Sequence, residues 1–209
     1  MVLNLQTDTY QVVMDISITD LNTALRDHPN KGELQIVEAL REIGAIQETC
    51  STYDQVEPVK LDGFFEQRWM TPIVETVQSD QRHHIRSLFE VIRAGLMMPR
   101  TSLGRIAKSL THNRTLHEAA AISNESNFEQ INNLMCSLNK AFVWDFSGNK
   151  CLTYSYALVR LARRRGIPAK LVIGVRTRPF FSHAWVELHK QVVSDAATLK
   201  QSLAVIMEV

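Results

Sequence analysis

The residue with most chemistry to offer is Cys151. It follows the polar stretch Asp145-Phe-Ser-Gly-Asn149 and opens a helical run over 151–165. The first turn of a helix leaves backbone N–H groups unpaired at the positive end of the dipole, a setting that stabilises a thiolate. His183 comes thirty-two residues later, near the start of a predicted strand, and Asp195 a further twelve on, at the end of the next. In an antiparallel hairpin the start of one strand lies beside the end of the next, so His183 and Asp195 can be neighbours. Cys151, His183 and Asp195 would then supply a nucleophile, a general base and a carboxylate that orients it.

Each of the three has a plainer reading, and spacing alone leaves both open. A cysteine opening a helix is often structural, a strand histidine is often a satisfied polar group, and an aspartate after a strand is often a turn residue. Zinc ligation by Cys151 and His183 lacks further Cys or His at ligand spacing, and there is no CxxC pair. His189 competes as a base, but it sits in a predicted turn with no orienting partner. Cys136 borders an apolar stripe and reads as a small buried hydrophobe. Cys50 lies among polar residues with nothing to activate it. Three widely spaced cysteines make no disulfide framework.

The elements that must position these residues follow from periodicity. Residues 2–13 read as two short strands around the turn-forming Gln6-Thr7-Asp8. Helices follow over about 19–26 and 32–43, the second with Leu34, Val37, Leu40 and Ile43 near helical spacing and Gly44 as a C-terminal cap. Residues 47–78 are irregular and read as a linker, with Phe64, Phe65 and Trp69 as packing anchors. From Ser79, the run Ile85, Leu88, Phe89, Ile92, Leu96 has helical spacing and Pro99 ends it. His83-His84 reads as its solvated first turn. A short helix over 103–110 follows, and Ser126-Asn-Phe-Glu129 matches a capping box. Behind it Phe128, Ile131, Leu134, Met135, Leu138 and Phe142 make one stripe. In the helix that begins at Cys151, Tyr154, Leu158 and Leu161 share a face, Gly166 caps and Pro168 prevents continuation. Residues 170–176, 181–188 and 191–194 read as strands, with His189-Lys190 turning between the last two and a further strand over 204–209. Trp185 alternates onto the face of His183 and is expected to pack beneath the sheet.

Composition narrows the class. In 209 residues, 45% are hydrophobic and 22% charged, enough for a real core and too apolar for disorder. The net charge of +1 argues against a nucleic-acid surface. Arg163-Arg164-Arg165 ends a helix and complements its dipole. No apolar run approaches membrane-spanning length and Met1-Val-Leu-Asn4 lacks signal-peptide character, so a cytoplasmic location is expected, with neither nucleic acid nor membrane as partner.

Taken together, Cys151-Leu-Thr-Tyr-Ser-Tyr-Ala-Leu, Leu171-Val-Ile-Gly-Val-Arg-Thr, Pro179-Phe-Phe-Ser-His-Ala-Trp-Val-Glu187 and Val193-Ser-Asp195 resemble the leader peptidases of lasso-peptide biosynthesis, above all those that mature microcin-class lasso peptides. The tight resemblance runs from about Lys150 to the end, and a looser one reaches Phe65-Glu-Gln-Arg-Trp69. It implies an α+β fold: a transglutaminase-like, papain-like cysteine protease domain over 79–209, a linker over 51–78 and a small winged-helix-like leader-recognition module over 1–50. It implies Cys151 as nucleophile, His183 as base and Asp195 as orienting acid. It implies as partners the leader region of a lasso precursor and an asparagine-synthetase-like cyclase that closes the ring after leader removal. The family's dependence on ATP, with Mg, is expected to reside in that cyclase, because this chain has no phosphate-binding glycine loop and is expected to bind no cofactor or metal itself. The family's module has three strands before its first helix. Only two are read here, so the first strand is expected to be missing or supplied from elsewhere. An acyltransferase or amidase using the same three residues, and a noncatalytic leader carrier, remain as rival readings.

Overall fold

Residues Leu171 to Val175 carry no polar side chain, so a strand made of them must be covered on both faces. They form the middle of the main sheet. The computed structural model describes residues 2–4, 9–11, 16–24, 31–42, 69–74, 81–114, 124–177 and 180–209. The chain divides into two units, Met1–Lys60 and Leu61–Val209.

In the first unit, strands β1 (Val2–Asn4) and β2 (Thr9–Gln11) pair antiparallel with Leu3 opposite Tyr10. Helices α1 (Ile18–Ala24) and α2 (Lys31–Glu42) pack on each other, burying Ala24 and Leu40. Ser17 caps α1: its hydroxyl accepts the Asp20 N–H at 3.0 Å and donates to the Asp20 carboxylate at 2.6 Å. Of the stripe read on α2, Leu40 is buried and Leu34 is exposed. Gly44, Cys50, Phe64 and Phe65 lie outside the described residues.

The second unit has helices α3 (Gln81–Met97), α4 (Leu103–Arg114), α5 (Asn124–Ala141), α6 (Lys150–Arg163) and α7 (Leu199–Ser202), with 3-10 turns at Met98–Arg100 and Phe142–Trp144. Its strands are β3 (Lys170–Thr177), β4 (Phe180–Leu188), β5 (Gln191–Val192) and β6 (Ala204–Glu208), in the order β5-β4-β3-β6, all neighbours antiparallel. Helix α6 is central: it packs on α3, α4 and α5 and lies on β4 and β3. Thr153 to Val159 are therefore all buried, the ordinary state of a helix enclosed on every side. Gly166 closes α6 at a φ of 77°, a left-handed conformation that costs glycine little.

Two expectations fall differently. The apolar stripe on α3 has the helical period, but Ile85, Phe89, Ile92 and Leu96 face outward, and the buried face is Ser87, Glu90, Val91 and Ala94. Glu90 is buried because cations from α6 meet it: Arg160 at 3.1 Å and Arg164 at 2.6 Å. Ser126 does not stand at the cap position. It lies inside α5, where its hydroxyl accepts Gln130 Nε2 at 3.1 Å. The arginine run also does more than meet a dipole, since Arg163 is buried and donates to the Ala169 and Leu110 carbonyls at 2.8 and 2.5 Å. Trp69 is a packing anchor against Phe142 and Tyr154, at ring separations of 5.2 and 5.5 Å.

Candidate active site

Three elements bring Cys151, His183 and Asp195 to one place. Cys151 is the second residue of α6. His183 lies on β4, opposite Gly174 of β3. Asp195 follows β5. The turn between β4 and β5 is tight because His189 and Lys190 take φ values of 49° and 67°, the left-handed pair of a two-residue hairpin. That hairpin returns the chain along β4 and sets the Asp195 carboxylate against His183: Nε2 to Oδ2 is 2.7 Å. The Cys151 side chain hydrogen-bonds to the same imidazole. His183 is 5% exposed, whereas His189 is exposed, lies tilted against the Phe128 ring at 6.1 Å and is no part of this group.

Burial works against both charged forms, pushing the Cys151 thiol up and the His183 imidazolium down. Specific bonds overcome it in each case. The Cys151 pKa is lowered by the bond to His183, by its charge and by the backbone N–H groups of Ala184 and Leu152. His183 is raised to about 9 by its bonds to Asp195 and Cys151 and by their charges. The two shifts run in opposite directions and together favour the pair with its proton on the imidazole and a thiolate beside it. A thiolate of that kind attacks carbonyl carbon, and an imidazolium protonates a leaving group.

Side chains around this group fix its parts. The His183 ring stacks between Phe181, at 5.8 Å, and Trp185, at 6.4 Å. Trp185 is fully buried with Val172, Leu199 and Leu203, as alternation predicts, and its indole donates to Glu187 at 2.9 Å. Lys200 pairs with the same carboxylate at 2.6 Å. Ser155, one turn beyond Cys151, donates to the Ala184 carbonyl at 3.1 Å and so ties α6 to β4 beside His183. Sequence reasoning passed over Ser155, since a serine inside an apolar helix carries no signal until its acceptor is known. Arg176 is half-buried at the end of β3, and Arg178 lies outside the described residues. Among the described residues, no three His, Cys, Asp or Glu side chains gather as metal ligands, and no helix is long and apolar enough to cross a membrane.

Residues 91–208, more than half of the chain, match the family described as the transglutaminase-like superfamily. Over 59 residues, 28% of this chain and 28% of the relative, the sequence is 58% identical to the microcin J25-processing protein McjB of Escherichia coli. The match thus spans well under two thirds of that protein's length. No solved structure matches the chain.

Proposed function

The chain belongs to the transglutaminase-like superfamily, and from that premise we propose that it is a cysteine endopeptidase that removes the leader from a lasso-peptide precursor before a partner cyclase closes the ring. One observation carries the reading above the others. Cys151, His183 and Asp195 form a continuous hydrogen-bonded row in which the cysteine is made more acidic and the histidine more basic. The likeness to a protein named for processing microcin J25 supports the choice of substrate.

In this reading the Cys151 thiolate attacks the carbonyl carbon at the leader–core junction. The Cys151 backbone N–H, at the head of α6, faces the developing oxyanion. Asn149, exposed and making no side-chain cap bond, and the Trp144 region are the candidates for a second donor. His183 gives its proton to the departing core amine, and the acyl group stays on sulfur. Water, deprotonated by the now neutral His183, then hydrolyses the thioester and frees the leader. Asp195 holds the ring in place throughout and favours its charged state.

The β1–β2 sheet with α1 and α2 is assigned to leader capture, the leader adding as a strand at a sheet edge in a winged-helix-like manner. ATP and Mg act through the asparagine-synthetase-like cyclase, since this chain carries no glycine-rich phosphate loop. The family match favours one second reading, acyl transfer, in which an amine replaces water at the thioester.

Precursor mass tests both. The precursor is incubated with the protein, with and without cyclase and Mg-ATP, and with Cys151→Ala and His183→Ala as controls. Loss of the leader only with intact Cys151 and His183 is the expected result. A new amide with the leader retained would establish the transferase. Full cleavage by either variant would overturn the site assignment.

A further inference from the structure

Asp145 lies six residues before Cys151, outside the catalytic row, and its side chain has no exposed surface. Its Oδ1 accepts the Ser147 N–H at 3.1 Å and its Oδ2 accepts the Ser147 hydroxyl at 2.8 Å. A carboxylate can only accept, so the Ser147 proton is committed there. The Ser147 oxygen in turn accepts from the Thr153 hydroxyl at 2.7 Å. Lys150 completes the arrangement, donating to the Asp145 carbonyl at 2.7 Å and pairing with its carboxylate at 3.1 Å. The group is seated against α3, where a Cβ on Gly95 would stand 3.1 Å from Oδ1.

These bonds replace an ordinary helix cap. Asn149, the N-cap residue of α6, contributes no side-chain cap bond. The chain Asp145–Ser147–Thr153 instead fastens the loop to the first turn of α6 on both sides of Cys151 in sequence. Ser147 and Thr153 are 6% and 0% exposed, so water is poorly placed to replace a lost hydroxyl. We infer that Asp145, Ser147 and Thr153 are positioning residues that hold the first turn of α6, and with it the sulfur and backbone N–H of Cys151, in the geometry needed for attack. The inference rests on the peptidase reading. A loosened turn withdraws the Leu152 N–H from the sulfur and misaims both nucleophile and oxyanion donor. It leaves leader binding, which this reading assigns to residues elsewhere in the chain, unaffected.

Ser147→Ala and Thr153→Val remove the shared hydroxyl bond without changing charge, and Ser147→Thr keeps a hydroxyl. Two readouts are taken on the full chain: the pH dependence of Cys151 alkylation by iodoacetamide, followed by peptide mass, and kcat and KM for precursor cleavage with cyclase and Mg-ATP. Ser147→Ala and Thr153→Val are each expected to move the alkylation midpoint to higher pH and to lower kcat about tenfold at unchanged KM, the scale of one buried bond. The double variant is expected to be no worse than Ser147→Ala alone, because Ser147→Ala already removes the bond that Thr153→Val removes. Ser147→Thr should restore both readouts. Should Ser147→Ala fail to fold, Thr153→Val carries the same expectation alone. A lower melting temperature with alkylation and kcat at wild-type values would show a merely structural role and overturn the inference. Wild-type Cys151 alkylating no faster than an unperturbed thiol would overturn the peptidase reading, and the inference with it.

Discussion

Gly174→Ala would test whether His183, the proposed base, is held by packing behind it. Gly174 pairs with His183 across the sheet, and Trp185 lies over it. A Cβ at Gly174 would stand 2.5 Å from Trp185 Cη2, 2.7 Å from Cζ3 and 3.0 Å from Leu203 Cβ. Carbon atoms rest at about 3.5–4.0 Å, so the methyl group intrudes by about 1 Å. The indole has little room to yield. It is fully buried, donates at 2.9 Å to Glu187, whose carboxylate is pinned by Lys200, and stacks on His183. Overpacking of this kind costs about 2–3 kcal/mol. For a chain of this length that corresponds to a melting temperature lower by roughly 4–12 °C. Because the ring that must move stacks on His183, kcat for precursor cleavage should fall as well. Trp185→Phe removes the clashing indole atoms. Adding Gly174→Ala to it should therefore cost less than Gly174→Ala costs the wild type, a coupling readable by calorimetry. A Gly174→Ala protein melting within a degree of wild type, with unchanged cleavage, would refute the reasoning.

Cleavage should follow a bell in pH. It rises as Cys151 ionises at its lowered pKa and falls as His183 loses its proton at about 9. Because the folded value of His183 lies above its ordinary 6.5, its contribution to stability is complete below that value and is lost as pH rises through about 9; thermal unfolding against pH checks this. Asp195→Asn removes the carboxylate charge that helps raise His183, so the alkaline limb should move to lower pH in the cleavage profile. Glu90→Gln leaves the Arg160 and Arg164 guanidiniums without their buried counter-charge. With Arg164 half in water, this should cost about 2–3 kcal/mol by chemical denaturation and leave the cleavage pH profile in place. Ser155→Ala leaves the Ala184 carbonyl without its donor, should cost about 1–3 kcal/mol, and should slow Cys151 alkylation.

What could be read from residues alone divides along the range of the forces involved. Helix α6 and its glycine stop, the strands of the main sheet, and the His183–Asp195 hairpin follow from period and turn chemistry, which are local. The approach of Cys151 to His183 is not local. It depends on α6 lying on β4, and spacing gave it only as a possibility that the resemblance sharpened. On α3 the period was right and the buried face was hidden, because the choice of face is settled by Arg160 and Arg164, seventy or more residues away, neutralising Glu90. The loop before Cys151 was legible as polar and no further. Composition marks Asp145, Ser147 and Asn149 alike as turn formers. Which oxygen meets which hydroxyl depends on the seat that α3 offers at Gly95 and on Thr153 arriving one helical turn later. The reactive atoms announced themselves by type. The residues that aim them are ordinary serines, a threonine and a glycine, whose roles exist only once distant segments are in contact.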